Sequence, residues 1–271
     1  MQLRPARLQV HDVVAVLLAV ATTTVAFGPT VRADGPAHIG PVVGAVDHDS
    51  ARSWVRPGQA ENVTLVVRDG AEQEVFAKSL AAKPDHDLCV AWTVEKLAAD
   101  TPYRYEIRAG KAKQPVAKAE FRTAPAPGTP AKAVLAFGSC ASEKFPGVWK
   151  RMADEGVEAV LLCGDTPYID SSDLAKNRDR HRAFLAQQGL VDLVRSRPLV
   201  GTWDDHDFGA NDSDGTKVDR VGIRRVFTEY RALDSYGEGN QGIYTTFRRG
   251  PVEVFLIDAR WFSQAEPSPV D

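Results

Sequence analysis

The chain has 271 residues, of which 44% are hydrophobic and 25% are charged, and its formal net charge is -3. This composition excludes a disordered chain and provides enough apolar residues for a large core and more than one domain. The slightly acidic balance, without a long run of Lys and Arg, gives no indication of specific nucleic-acid recognition.

The first 33 residues are expected to be a secretory signal peptide rather than part of the fold. Arg4 and Arg7 precede an apolar stretch at 13–27, and residues 31–33 place small side chains at the minus-three and minus-one positions of a cleavage site. An uncleaved membrane anchor is the alternative, but the stretch is short for a span of about 20 residues. We therefore expect export, as a secreted or periplasmic protein, with no integral membrane segment after signal cleavage.

The next segment, residues 34–124, has the pattern of a β-sandwich. Short runs rich in β-branched and aromatic residues alternate with turn sequences such as Asp69-Gly70. The seven expected strands are 42–45, 51–55, 62–68, 74–79, 88–94, 103–109 and 117–122. Seven short strands at this spacing favour a sandwich. The Pro-rich segment 125–130 can neither continue a sheet nor begin a helix, so it is predicted to be a stiff linker.

From residue 131 to residue 271, helical patterns alternate with apolar strands, which is typical of an α/β fold. Strands are expected at 133–137, 157–163 and 198–203, helices at 148–155 and 178–195, and a β-hairpin at 242–248 and 252–257. The hairpin is expected to turn at Arg249-Gly250-Pro251.

The three cysteines are too few, and odd in number, for a disulfide framework. Cys89 lies in an alternating run and Cys163 ends an apolar strand, so both are expected in the core. Cys140 differs because it stands in a Gly-Ser-Cys turn directly after a strand, where side chains face a crevice.

Polar residues follow each of the three α/β strands at the point where the strand ends. Cys140 follows the first, the run from Gly164 to Tyr168 follows the second, and Asp204-Asp205-His206 follows the third. Ligands bind beyond the carboxyl ends of strands in α/β sheets, so these clusters are expected to converge. The run 201–212 alone holds four carboxylates, which repel one another unless a cation compensates them. A metal or phosphate site is favoured, and a solvated acidic loop is the alternative.

The donor types indicate which metals would suit such a site. A thiolate, a carboxylate and a phenol together favour iron, whereas a surplus of carboxylate oxygens suits a hard cation such as calcium. Asp165 and Tyr168 are three positions apart across Thr166-Pro167 and could both reach one ion from a tight turn. The alternative for Tyr168 is an aromatic ring packed over the loop.

The motifs strand-Gly-Ser-Cys, Gly-Asp-x-x-Tyr and Trp-Asp-Asp-His-Asp-x-Gly-x-Asn-Asp, in this order, resemble the PhoD-like alkaline phosphatase and phosphodiesterase family, a distant relative of the purple acid phosphatases. The runs 51–56 and 121–125 resemble the fibronectin type III-like N-terminal domain of that family, and 256–262 resembles a further family block. The implied fold is a fibronectin type III-like β-sandwich followed by an α/β metallophosphoesterase domain.

The resemblance implies a centre of Fe³⁺ with one or more Ca²⁺ ions. Cys140, Asp165 and Tyr168 match the iron ligands, and Asp205 matches the ligand that bridges or holds the second metal. His206 matches the histidine beside the scissile phosphate, as a general acid or a donor to a phosphoryl oxygen. Asp204 is an alternative metal ligand. Asn211 and Asp212 are candidates either for calcium ligands or for residues that orient His206. Arg260 is a candidate phosphate clamp, and a salt bridge is the alternative role for it.

The function implied by the resemblance is a secreted, metal-dependent hydrolase of phosphoric esters that uses a metal-activated hydroxide. Its substrates would be small phosphate esters or phosphodiester polymers. A non-catalytic secreted module that binds calcium or phosphate through residues 204–212 is the alternative. A third hypothesis gives the sandwich a polysaccharide site with Trp54 and Trp92 as platforms, although their alternating strand contexts predict core positions.

The chain departs from the family pattern after the third strand. No histidine follows His206, and the Gly-Asp-x-His strand end that supplies further ligands in such hydrolases is absent. The α/β domain is therefore expected to be incomplete, and the remaining ligands of the second metal have no counterpart here. Apolar surface on the strands at 157–163 and 252–257 is expected to be exposed.

Overall fold

The computed structural model describes residues 38–112, 114–216, 219–233 and 235–264, all of which belong to one compact unit. The predicted signal peptide at 1–33 and the last seven residues of the chain lie outside this part. Within the described residues, none of the helices combines the length and the apolar character needed to span a bilayer.

Among the described residues of the first half, seven strands form two antiparallel sheets that pack face to face. They are β1 (Ile39–Val46), β2 (Ala51–Arg56), β3 (Asn62–Arg68), β4 (Glu74–Ala81), β5 (Val90–Val94), β6 (Pro102–Ala109) and β7 (Ala117–Arg122). One sheet has the order β1-β2-β5 and the other has the order β4-β3-β6-β7. Along β6, Tyr103, Tyr105 and Ile107 are buried between the sheets while Arg104 is exposed, as the two-residue period of a strand requires. Each of the seven expected strand segments overlaps one of these strands.

The two tryptophans proposed as carbohydrate platforms are both buried. Trp54 donates its indole N–H to the carbonyl of Glu229 at 2.8 Å, and Trp92 donates to the carbonyl of Lys78 at 3.0 Å. The expected core positions are confirmed, and the polysaccharide hypothesis is wrong because neither ring offers an accessible face.

The second half contains a parallel sheet of three strands. These are β8 (Leu135–Gly138), β9 (Ala159–Cys163) and β10 (Leu199–Thr202), with β9 in the centre. In the described part of this half, five helices accompany them: α1 (Gly147–Asp154), α2 (Leu174–Leu185), α3 (Gln188–Val194), α4 (Asp205–Phe208) and α5 (Arg220–Glu229). The predicted hairpin is confirmed as β11 (Thr245–Arg249) paired with β12 (Val252–Leu256).

The parallel sheet is covered on both faces. Val160 and Leu162 of β9 pack against helix residues such as Trp149 and Phe184, in a cluster that also includes Trp54 of the sandwich. On the other face, Leu161 packs with residues of the hairpin. A strand buried on both sides is a continuous apolar run, which is the pattern that predicted β9.

The single helix expected at 178–195 is two helices in the structure. Helix α2 begins at Leu174, because the Asp173 side chain accepts a hydrogen bond from the amide of Lys176 at 2.7 Å. The backbone becomes extended at Gln187, and α3 then presents Leu190 and Leu193 to the core. A continuous helix would place Gln188 and Gly189 against the core. The break at Gln187 instead turns the apolar residues of α3 toward the core. Helices α4 and α5 were not predicted.

Two cysteine predictions need correction. Cys163 is the last residue of β9 and is exposed, because the cover over this face of the sheet ends before it. Cys89 is half-buried and directly precedes β5 rather than lying in it. Burial, followed by the charges of Asp87 and Glu229, raises the pKa of the Cys89 thiol.

The expectation of exposed apolar surface holds for one of the two strands. Phe255 and Ile257, in and after β12, are 68% and 73% exposed, whereas residues 157–162 are covered. Phe137 at the end of β8 is also exposed, at 64%. The hairpin and the end of β8 therefore both carry uncovered apolar side chains.

Candidate metal centre

The carboxyl ends of β8, β9 and β10 lie side by side. The register pairs Gly138 with Leu162 and Cys163 with Thr202, so the loops that follow all start at one edge of the sheet. One ligand atom each from Asp165, Asp205 and His206 lies within 4.8 Å of the others. The convergence expected from the sequence is therefore present.

Cys140, Asp165 and Tyr168 also meet. The Cys140 Sγ atom lies 3.4 Å from Oδ2 of Asp165, and the Tyr168 hydroxyl lies near enough to both side chains to interact with them. The hydrogen bond to Cys140, then burial and the charges of Cys140 and Asp165, raise the pKa of the phenol. A cation reverses this effect, since it stabilises the deprotonated forms of all three groups. The donor set therefore fits a positively charged metal ion.

Tyr168 satisfies both interpretations that the sequence left open. Its ring lies against the imidazole of His206, with the ring centroids 4.6 Å apart, so it packs over the loop as an aromatic residue. Its hydroxyl nevertheless points at Cys140 and Asp165. Packing on one side of the ring thus directs the oxygen toward the cluster.

The backbone at this site is strained at the residues that bear the donors. Cys140 has φ of 54° and Asp165 has φ of 53°, in the left-handed region where a non-glycine residue costs about 1–2 kcal/mol. Gly164, with φ of 103°, comes so close to the third loop that a Cβ atom there would lie 2.5 Å from Cβ of Asp204. A glycine at 164 therefore permits the second and third loops to touch.

Asp205 is held by the end of its own loop. Its Oδ2 accepts a hydrogen bond from the amide of Asp212 at 2.6 Å, and Asn211 donates its side-chain amide to Asp212 at 2.5 Å. Burial opposes ionisation of Asp205, but the Asp212 amide and the charge of Arg260 outweigh it and hold the pKa of the carboxyl below its ordinary value. The Asp212 amide therefore fixes the orientation of the Asp205 carboxylate, and the side chain of Asn211 stabilises that of Asp212 through a hydrogen bond.

His206 has a carboxylate partner that the sequence did not indicate. Its Nδ1 is hydrogen-bonded to Asp170, and the amides of Ile169 and Asp170 donate to the His206 carbonyl at 2.9 and 3.0 Å. The bond to Asp170, with the charges of Asp170, Asp205 and Asp165, raises the pKa of the imidazole against the effect of burial. The sequence indicates this partner of His206 only through the position of Asp170, which lies two residues after Tyr168.

Arg260 forms the salt bridge that was the alternative to a phosphate clamp. Its Nε atom pairs with Asp204, and its Nη2 atom lies 3.6 Å from Asp205. The buried Asp258 carboxylate accepts from the Arg260 amide at 3.0 Å and so fixes the turn that carries it. Asp204 is thereby engaged by a guanidinium, and a phosphate contact of Arg260 stays a prediction.

Asp207 is a second residue that the sequence did not single out. Burial raises the pKa of its carboxyl to about 7, even though the amides of Asp204 and Thr166 donate hydrogen bonds to it. With Asp204 it forms a capping box at the start of α4, a helix that the sequence pattern does not predict. A capping pattern in the run Asp204 to Asp207 was the available signal.

Comparison with known proteins agrees with this geometry. No protein-family model matches the chain. Alkaline phosphatase D of Bacillus subtilis (strain 168) is 26% identical over a comparison of 192 residues, and the match covers 61% of this chain and 31% of that protein. A solved structure of PhoD aligns with a TM-score of 0.72 at 22% identity, over 83% of this chain and 52% of PhoD. Purple acid phosphatase PPD1 from yellow lupin (Lupinus luteus) seeds aligns with a TM-score of 0.58 at 11% identity, over 79% and 43% of the two chains.

The chain therefore spans about half of PhoD and about a third of the curated relative. At these identities the two solved structures show the fold, and the curated relative adds a likeness in sequence. Together with the three strand-end motifs, these similarities support the resemblance to the PhoD-like metallophosphoesterase family.

Proposed function

We propose that this chain carries the metal centre of an exported phosphoric ester hydrolase that acts as a phosphomonoesterase or phosphodiesterase. The observation that supports it most strongly is the meeting of Cys140, Asp165 and Tyr168, from two strand ends, at one point. A thiolate and a phenolate beside a carboxylate suit Fe³⁺. Asp205, next to them, offers carboxylate oxygens to a harder cation such as Ca²⁺.

The organisation of the whole chain is part of the proposal. Residues 1–33 would direct export, 34–124 would form a fibronectin type III-like domain, and 125–130 would link it to the metallophosphoesterase domain at 131–271. Two antiparallel sheets of three and four strands support the assignment of the first domain. The sequence contains no Gly-Asp-x-His motif, so Asp205 is the ligand that the proposal assigns to the second metal.

A bound metal ion supplies a Lewis acid that activates water near neutral pH and offsets negative charge on the phosphoryl group. The hydrogen bond to Asp170 raises the pKa of the His206 imidazole and so favours its protonated form. Asp170 engages Nδ1, so Nε2 is the atom that faces a substrate. Proton donation from Nε2 to the leaving alkoxide is the step that this geometry suits.

Arg260 would assist from the side of the third loop. Its guanidinium lies between Asp204 and Asp205, where it lowers the negative potential that a phosphate ester must approach. The four carboxylates of this loop would otherwise repel an anionic substrate. The salt bridge and a role toward phosphate are thus compatible.

Hydrolysis of a chromogenic phosphomonoester and phosphodiester, with iron and calcium supplied and then chelated, tests the proposal. Loss of an outer-shell partner costs about 10–100-fold in metal affinity or activity, so Asp165→Asn and Tyr168→Phe should each cost more than that. Tyr244→Phe, at an exposed tyrosine on the approach to β11, serves as the control. Metal binding by the wild type without turnover would contradict a hydrolase and favour the non-catalytic calcium- or phosphate-binding module.

A further inference from the structure

Two buried residues of opposite charge, Asp207 and Arg231, lie beside the candidate metal centre. Asp207 is 1% exposed and Arg231 is 4% exposed. Both contact the backbone of Thr166, which directly follows Asp165. The Thr166 amide donates to Oδ2 of Asp207 at 3.4 Å, and Nη2 of Arg231 donates to the Thr166 carbonyl at 3.0 Å. An acidic and a basic side chain therefore hold the two polar ends of one residue in the second loop.

Asp207 also reaches the third loop. Its Oδ1 accepts a hydrogen bond from the amide of Asp204 at 2.5 Å. One carboxylate thus bonds an amide next to Asp165 and an amide next to Asp205. These two candidate ligands come from different strands, and a single side chain ties their loops together.

Arg231 is fixed from its other side. Its Nη1 donates to the Tyr230 carbonyl at 3.3 Å, and its guanidinium lies over the ring of Phe227, 4.7 Å from the centroid. Its Nε is buried without a hydrogen-bond partner among the described residues. Buried charged side chains are weak support for stability, since apolar residues of similar volume often serve as well. The two charged side chains are better explained by the backbone groups of Thr166 and Asp204 that they hold in place.

We propose that Asp207 and Arg231 are positioning residues that press the Asp165 loop against the Asp205 loop so that both carboxylates reach the metal site. The inference rests on the proposed function in one respect, that a metal ion binds there. The hydrogen bond of 3.3 Å from the His206 amide to Oδ1 of Asp165 marks the contact that the pair maintains. Neither residue touches the metal or the substrate in this role.

Asp207→Asn is the sharpest variant, because it keeps the shape of the side chain. An amide has one acceptor oxygen, so only one of the two backbone amides keeps its bond and the other faces an NH₂ group. The variant also removes the counter-charge of Arg231. We expect the affinity of the full chain for cobalt(II) to fall about 10–100-fold, with a changed visible absorption spectrum. Asp192→Asn, an exposed aspartate bonded to Gln188 on α3, should bind as the wild type does.

Arg231→Lys and Arg231→Met separate the charge from the packing. Lysine keeps a buried positive charge and a donor, so it should bind cobalt(II) more tightly than the methionine variant. A purely structural role predicts the reverse, since methionine fills the apolar surroundings of Phe227 without a desolvation cost. Thermal unfolding of the metal-free variants reports the packing effect independently.

Hydrogen exchange of the wild type supplies a measurement that needs no substitution. The amides of Thr166 and Asp204 should be protected in the metal-free chain, as the bonds to Asp207 require. Free exchange of both amides would overturn the inference. Cobalt(II) binding by Asp207→Asn within twofold of the wild type, with the same spectrum, would also overturn it. Failure of the wild type to bind cobalt(II) would instead contradict the proposed function.

Discussion

The backbone amide of His206 donates a hydrogen bond of 3.3 Å to Oδ1 of Asp165, although the two residues are 41 positions apart in the chain. The bond forms because β9 and β10 are neighbours in a parallel sheet, which brings the loops after them to the same edge. It turns one oxygen of Asp165 toward the third loop, while the other faces Cys140. The candidate metal centre therefore depends on close approach of two loops.

Gly164→Ala should separate these loops. The new Cβ would lie 2.5 Å from Cβ of Asp204, and the φ of 103° is strained for any residue with a side chain. Overpacking and backbone strain each cost about 1–3 kcal/mol, so we expect a loss of about 2–6 kcal/mol in the free energy of unfolding. Chemical denaturation measures it, and binding of a metal ion should weaken in parallel.

Gly156→Ala is the matched control, because Gly156 also has a positive φ, 68°, but its Cβ would meet nothing within 4 Å. It should show the backbone cost alone, about 1–2 kcal/mol, with unchanged metal binding. Equal losses in the two variants would contradict the close approach of Gly164 to the third loop.

Asp87 should make stability depend on pH. It accepts hydrogen bonds from Arg56 of β2 at 3.0 Å, from Arg182 of α2 at 2.6 Å and from the hydroxyl of Tyr230. Burial opposes its ionisation, but these bonds outweigh it and hold the pKa of the carboxyl below its ordinary value. Because the pKa of Asp87 is lower in the folded state than in the unfolded state, its carboxylate stabilises the fold at pH values above the unfolded-state pKa, which is near 4. This contribution is lost as the pH falls through the folded-state pKa.

Asp87→Asn should therefore lower the free energy of unfolding by about 1–3 kcal/mol at pH 7. The difference from the wild type should shrink when denaturation is repeated below about pH 4. Asp100→Asn, at an exposed ion pair with Arg122, is the control and should cost less than about 1 kcal/mol. A constant difference between Asp87→Asn and the wild type from pH 7 to pH 3 would contradict the assignment.

Arg260→Met should have opposite effects on anions and cations. The substitution removes the positive charge that attracts phosphate. It also removes the guanidinium that competes with metal ions for the carboxylates of Asp204 and Asp205. A hydrogen bond to a charged group is worth about 1.5–3 kcal/mol, so inhibition by inorganic phosphate should weaken about tenfold or more. The affinity for Ca²⁺ should rise.

Arg248→Met, which breaks an exposed pair with Glu253 on the hairpin, is the control for Arg260→Met and should change neither quantity. Unchanged inhibition by phosphate in Arg260→Met would limit Arg260 to its salt bridge with Asp204.

The parallel strands and their polar ends could be predicted because each is a local pattern. An apolar run that stops at Gly-Asp or Trp-Asp-Asp gives both the strand and the position of its donors, and the order of strands brings the donors together. The fold of the sandwich was predictable for the same reason, since each strand shows its own alternation. The break between α2 and α3 was not, because neither Ala186 nor Gln187 is a helix breaker by propensity.

Asp170 and Asp207 escaped prediction because their roles depend on loops that meet in space. Asp170 bonds a histidine 36 positions away, and Asp207 bonds Thr166 41 positions away. Cys163 was assigned to the core for a related reason. A strand pattern indicates which side chains alternate, but the elements that cover them decide where burial ends.

The most direct test of the account is to locate the metal. Crystals of the full chain grown with iron should give an anomalous difference peak at the iron edge, at bonding distance from Cys140 Sγ, a carboxylate oxygen of Asp165 and the Tyr168 hydroxyl oxygen. The same peak should be absent in crystals of Asp165→Asn. Iron bound elsewhere in the wild type, or a peak unchanged in the variant, would contradict a metal centre at these strand ends.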